Sequence, residues 1–323
     1  MSYLCPKSSD MKFTNPIPIQ EIAESINAVI LGDGSREATG LNEINKVELG
    51  DITFVDVKKY FAKSLGSAAT FIILNEAVEV PEGKTLLLHP QPFEAYNYLA
   101  KQFRPFAPQL GLRSEKAIIH PTAIIEPNVV IGQHVNIGEN AYIQANTVIG
   151  EYVYIGKNVI IQPNCSIGSD AFYYKKEDGK HIKWRSVGRV IIEDDVEIGA
   201  GCTIAKGVSG DTIIGQGTKL DCQCHIGHGV IVGKHCLFAA QVGIGGKTII
   251  GDHVTLYGQV GVAQRLRIAN HVTVMAKSGV GKDLEEGKSY FGAPAIEARE
   301  AYREIAALRQ LPELLKSTYK NQE

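Results

Sequence analysis

The chain has 323 residues, with 33 Lys plus Arg against 35 Asp plus Glu, a net charge near −2, 33 Gly and six Cys. At roughly 150 residues per domain that length accommodates about two domains with ample core, so neither a metal nor a disulfide is needed merely to fold. The near-neutral balance argues against a general nucleic-acid or anionic-membrane binder, which needs clustered excess Lys and Arg, and no apolar run approaches the ~18–20 residues of a membrane-spanning helix.

The first residues, MSYLCPKSSD, lack the basic start and apolar core of a secretory signal, and Met11-Lys12 offers an alternative start. Cysteines stand at 5, 165, 202, 222, 224 and 236 without a CxxC pair, which favours reduced cytoplasmic thiols over a disulfide framework. Farther on, QEIAESINAVI has the spacing of an amphipathic helix, and DITFVDV and ATFIILN read as strands. PFEAYNYLAKQF predicts a helix with its apolar face at Phe93, Tyr96, Leu99, Ala100 and Phe103. Residues 1–110 are thus expected to form a small α/β domain.

Glycine divides the rest. Residues 1–110 hold six glycines, 111–292 hold twenty-seven and 293–323 none. From Ile119 to Ile167 isoleucine recurs every six residues, each followed four residues later by a small or β-branched side chain such as Ala123, Val135 or Cys165. The period breaks at Phe172, returns at Ile192, Ile198 and Ile204, breaks again, and runs from Ile214 to Val280, giving twenty-four hexads. A period of six fits neither a helix nor a heptad; it suits short strands joined by tight corners, the signature of a parallel β-helix. Three hexads per triangular coil predict eight coils about 4.8 Å apart, with residue n under residue n+18. The first and fifth hexad positions then point inward. Ordinary crossover chirality does not predict the hand of such a coil.

Cys165, Cys202, Cys224 and Cys236 take the inward fifth slot, where a thiol acts as a small hydrophobe, and Cys222 an outward one. Two excursions leave the coil. The first, 172–189, carries Lys175, Lys176, Lys180, Lys183, Arg185 and Arg189 against Glu177 and Asp178, together with Phe172, Tyr173, Tyr174 and the sole Trp, Trp184. It is expected to contact an acidic partner or a phosphate. The second adds four residues between Ile204 and Ile214. Beyond residue 292, helical spacing at Ile296, Ala298, Tyr302, Ile305 and Leu308 is interrupted at Pro312, which predicts two short helices within 293–323.

Among nine histidines, His134, His235, His253 and His271 share the fourth hexad position and read as solvated corner residues. His225 and His228 differ, lying in KLDCQCHIGHGVIVG with Asp221 upstream. An Asp before a His suggests a carboxylate that orients an imidazole as general base. Eighteen residues after His228 comes Gly246, whose N–H on the next coil is placed to stabilise the oxyanion of an acyl-transfer intermediate. A zinc site built from histidines on neighbouring coils is the competing reading. It is disfavoured because positions 18 and 36 after His228 are Gly246 and Gln264, so no metal is expected.

GSDAFYY, VGRVIIEDDVEIGAGCTI, DTIIGQGTKLDCQCHIGHGVIVG, QVGIGGKTIIGDHV and ITFVDVKKY together resemble the UDP-3-O-acylglucosamine N-acyltransferases of lipid A synthesis over nearly the whole chain. That resemblance implies a mainly β fold: a uridine-binding α/β domain over 1–110, a left-handed parallel β-helix over 111–292 with a loop inserted at 172–189, and C-terminal α-helices. It also implies a cytoplasmic homotrimer with sites between adjacent prisms, a UDP-sugar acceptor, and acyl carrier protein as donor, with no cofactor beyond the donor's phosphopantetheine thioester. His228 falls on the family's general base, Asp221 on its supporting carboxylate and Gly246 on its oxyanion donor. Phe54 and Tyr60 fall on the uridine-stacking aromatics, while Asp56, His225 and Arg265 complete the expected substrate-binding set. The chain departs from the family pattern at Val57, Ala205-Lys206, Gly229 and Arg265, which leaves open a transferase acting on another amino or hydroxy sugar nucleotide. A catalytically silent trimeric scaffold is the alternative outside enzymes.

Overall fold

The computed structural model describes residues 11–292 and 298–320. The segment 1–10 with Cys5, and Ile296 of the expected C-terminal apolar face, lie outside the described residues, as do the side chains of Ala298 and Tyr302. The N-terminal part is a six-stranded sheet in the order β1-β3-β4-β5-β6-β2, with β1 at Lys12–Pro18, β2 at Val29–Gly32, β3 at Glu37–Leu41, β4 at Asp51–Val55, β5 at Phe71–Leu74 and β6 at Thr85–Leu88. β3 to β6 are mutually parallel and the two edge strands antiparallel. All four residues of β5 are buried, as the continuous apolar run of a strand covered on both faces requires. Helices α1 (Ile19–Ser25), α2 (Phe61–Leu65) and α3 (Pro92–Phe103) accompany the sheet. Helix α3 buries Phe93, Tyr96 and Ala100. The helix expected over QEIAESINAVI is shorter than its pattern: Asn27 takes a left-handed φ of 53°, and the chain continues as β2.

From Ile118 onward the chain winds into a left-handed parallel β-helix. Strands of two to four residues stack into three sheets of eight, nine and eight strands. Pairs such as Ile137↔Ile155 and Val232↔Ile250 stand 18 residues apart. The interior is a continuous column of Ile, Val, Leu and Cys, each large aliphatic contributing roughly 1.5–3 kcal/mol by leaving water. Cys165, Cys202, Cys224 and Cys236 are buried in it, and their thiols donate to backbone carbonyls, as Cys236 Sγ does to Gly251 O at 3.2 Å. The ninth strand, Ser289–Tyr290, escaped the hexad count because its coil is two residues short, pairing Tyr290 with Val274.

Corners recur at the fourth hexad position in left-handed conformation, mostly on Asn, Gln and His, a cost of about 1 kcal/mol for a residue with a β-carbon. Ladders between coils offset it. Gln259 donates to Gln241 at 2.6 Å and Gln241 to Gln223 at 2.7 Å, and the exposed rings of His235, His253 and His271 stack with centroids 5.4 and 5.0 Å apart.

The first excursion does more than cover the surface. Its hairpin pairs Tyr174–Glu177 with Lys180–Lys183, and Trp184 then enters an aromatic cluster with Phe54, Phe93, Tyr96 and Tyr173 at 4.9–5.8 Å. Arg185 donates to the carbonyl of Arg104 and to Glu151, and its N–H to Asn97 Oδ1 at 2.9 Å. Arg189 forms a buried two-point pair with Asp211 at 2.9 and 2.8 Å. Lys175 pairs with Asp56 and Lys183 with Asp170. Lys175 and Arg185 therefore tie the N-terminal domain to the prism, whereas Lys183 and Arg189 are paired within the prism itself. The C-terminal segment is one helix, α4 (Ala298–Lys320), continuous through Pro312, rather than the two expected. One missing donor does not break a helix with more than two turns on either side. Among the described residues no helix is long and apolar enough to cross a membrane.

Candidate active site

His228 stands at the corner between the strands His225–Ile226 and Ile231–Val232. Gly229, with φ of 65°, takes the left-handed position beside it, and its N–H donates to Thr212 Oγ1 at 2.8 Å. The imidazole is only 7% exposed. On the next coil it meets Gly246, where a β-carbon would fall 2.6 Å from His228 Nε2 and 2.8 Å from Cδ2. Only glycine admits the ring at that approach. The Gly246 N–H has no hydrogen-bond acceptor among the described residues, so the residue that packs on the ring carries an unengaged donor.

Three further segments close over the ring. Tyr173 meets it edge-on with centroids 5.2 Å apart. Lys247, one coil up, donates its backbone N–H to the His228 carbonyl at 2.8 Å, and its ammonium lies 4.7 Å above the Tyr173 ring. From the N-terminal domain, Glu43 pairs with the Lys247 ammonium, and Lys46 donates to the Asp211 carbonyl at 3.0 Å while its stem lies on Gly210. Burial first, then the charges of Lys247, Arg265 and Lys46 against the opposing Glu43, hold the imidazole pKa down to about 4. Burial likewise lowers the ammonium pKa of Lys46.

Asp221 does not reach His228 within the chain. It is exposed at the preceding corner, where its Oδ1 accepts the Cys222 N–H at 2.7 Å. The strand His225–Ile226 separates the two corners, so seven residues of sequence span a whole face of the prism. His228 Nδ1 is left buried with no partner among the described residues. His225 faces outward and shares a hydrogen bond of 2.7 Å with Thr203. Arg265 occupies the exposed left-handed corner above Lys247. Among the described residues no cluster of three His, Cys, Asp or Glu could hold a metal.

The expected nucleoside residues have different surroundings. Phe54 packs into the Trp184 cluster, 4.9 Å from Tyr96 and 5.2 Å from Trp184, while Tyr60 is 49% exposed beneath Lys59. Asp56 is held by Lys175, and its carbonyl accepts from Asn75 at 3.3 Å. Sequence reading missed Glu43, Lys46, Lys247 and Asn75. Lys247 alone carried a signal there, since it lies 18 residues beyond Gly229.

Hexapeptide transferase repeats ("Bacterial transferase hexapeptide (six repeats)") match residues 146–172 and 211–246. The UDP-3-O-acylglucosamine N-acyltransferase of Azorhizobium caulinodans is 36% identical over 92% of this chain and 93% of its own length. The chain belongs to the UDP-3-O-acylglucosamine N-acyltransferase family. A second such N-acyltransferase, from a Methylobacterium species, is 35% identical over 93% of this chain and 94% of its own. A crystal structure of a Francisella novicida UDP-N-acetylglucosamine acyltransferase covers 59% of this chain and 72% of its own at 28% identity, with a TM-score of 0.46.

Proposed function

We propose that the chain transfers a hydroxyacyl group from the phosphopantetheine thioester of acyl carrier protein to the 2-amino group of a UDP-3-O-acylglucosamine, in the cytoplasm, as a step of lipid A biosynthesis. The observation that carries this reading is the imidazole of His228 laid against Gly246, whose N–H is unengaged. The acceptor amine attacks the thioester carbonyl while His228 takes its proton. The Gly246 N–H stabilises the oxyanion, and collapse breaks the C–S bond, with the proton passing from His228 to the departing thiolate. The products are an amide and the free phosphopantetheine thiol. The names of the relatives supply the acceptor and the pathway.

A homotrimer accommodates the separation of Asp221 from His228. If Asp221 orients an imidazole, that imidazole belongs to a neighbouring copy, because the two residues occupy opposite ends of one prism face. A buried ring nitrogen without a partner is costly, and a carboxylate arriving across an interface would satisfy it. Arg265 is suited to a substrate phosphate and His225 to a sugar hydroxyl, with Phe54, Asp56 and Tyr60 on the nucleoside.

The test is turnover of an acyl carrier protein thioester with UDP-3-O-acylglucosamine by wild type and His228→Ala. Undiminished turnover of the variant overturns the assignment of the base. The placing of Phe54 in the Trp184 cluster and of exposed Val57 beside Asp56 favours one second reading, a different sugar nucleotide as acceptor. Wild type inactive on the glucosamine derivative but active on another UDP-amino sugar would establish it.

A further inference from the structure

The general base assigned to His228 sits among cations contributed by separate parts of the chain. Within the chain, the charged and titratable groups facing it are Glu43 and Lys46 from the N-terminal domain, Tyr173 from the first excursion, and Lys247 and Arg265 from the two coils above; the carboxylate proposed to arrive from a neighbouring copy is Asp221, and it stays the same in every variant below. Three of these are cationic and Glu43 is the anion. Glu43 is bound to the Lys247 ammonium, which in turn lies over the Tyr173 ring that abuts the imidazole. Both members of the pair are largely buried, with side-chain exposures of 20% for Lys247 and 14% for Glu43, so solvent screens them weakly.

We propose that Glu43 is a positioning residue for the base: by anchoring the Lys247 ammonium over Tyr173 and setting a negative charge opposite Lys46 and Arg265, it keeps His228 able to accept a proton. The inference rests on His228 being the base. It gives the N-terminal domain a part in proton transfer beyond nucleotide recognition, because a loop of that domain carries the counter-charge. Neutralising Glu43 leaves Lys247 uncompensated and makes the imidazole harder to protonate, whereas neutralising Lys247 does the opposite.

Two readouts test it on the full-length protein: the NMR titration of His228 in histidine-labelled enzyme, assigned with His228→Gln, and the acid limb of the pH profile of kcat/KM. Glu43→Gln is expected to lower both midpoints by about one pH unit and Lys247→Met to raise both. The double variant should return near wild type, and Glu43→Asp should largely restore it. A merely structural Glu43 would cost rate without moving the titration. An unmoved His228 midpoint in both Glu43→Gln and Lys247→Met overturns the proposal. Undiminished turnover of His228→Ala would overturn the base assignment instead, since the NMR titration reads the coupling without turnover.

Discussion

His228 and Gly246 are in contact across one coil step, the ring lying where a Gly246 side chain would have to be. Gly246→Ala therefore displaces the imidazole from the oxyanion donor. Because Gly246 does not adopt a left-handed φ, alanine imposes no backbone penalty, and the fold should persist. We expect kcat to fall by about 10² or more with an unchanged far-ultraviolet circular dichroism spectrum. Steady-state kinetics check it, and an unaltered kcat would contradict the placement.

Acid should destabilise the fold through His228. Burial lowers its pKa from 6.5 to about 4, so the unfolded chain takes up this proton first as pH falls. The contribution is complete above pH 6.5, declines as pH falls toward 4, and is lost below that. With Nδ1 unpartnered, as in the single chain, it amounts to at most about 3 kcal/mol; a carboxylate arriving on Nδ1 reduces it. Urea unfolding midpoints across that window should fall less steeply for His228→Gln than for wild type. Parallel slopes would show that the ring is not desolvated in solution.

Asp221 and His228 should complement each other between copies. Asp221→Ala and His228→Ala are each expected to lose most activity. Co-expressed with different affinity tags and purified as mixed assemblies, they should recover a measurable fraction, because some interfaces then pair an intact Asp221 with an intact His228. Mixed assemblies no more active than either parent would place the two residues in separate roles.

The hairpin lysines divide into two groups. Lys175 is committed to Asp56 and Lys183 to Asp170, whereas Lys176 and Lys180 are exposed and make no ion pair among the described residues. If the hairpin meets acidic acyl carrier protein, Lys176→Gln with Lys180→Gln should raise the KM for the carrier a few-fold, more at low salt, and spare the KM for the sugar nucleotide. Unchanged constants for both substrates would remove the hairpin from donor recognition.

The prism was legible because its physics is periodic: an inward aliphatic every six residues states the strand, the corner and the 18-residue step at once. That same arithmetic put Gly246 above His228. It does not bring Asp221 to His228 within one chain, because closeness in sequence around a corner does not survive a strand that carries the chain to the next vertex. It failed for Trp184, whose place in an aromatic cluster depends on two distant segments meeting. Glu43 and Lys46 left no trace, since an acidic and a basic residue in a loop read as solvated until a second domain lies against them. Pro312 does not divide the C-terminal helix, for one lost hydrogen bond does not end a helix that continues for more than two turns on either side.

Across the first excursion Ile155 pairs with Ile192, and across the second Ile192 pairs with Ile214, as though nothing had been inserted. The strands before and after each insert are therefore one strand spacing apart, and the scaffold does not register how much chain intervenes. Each corner is in effect a splice point, where segments of quite different length can be exchanged while the base and its glycine stay on adjacent coils. New recognition elements can then be grafted beside a fixed chemistry without rebuilding the column that holds it.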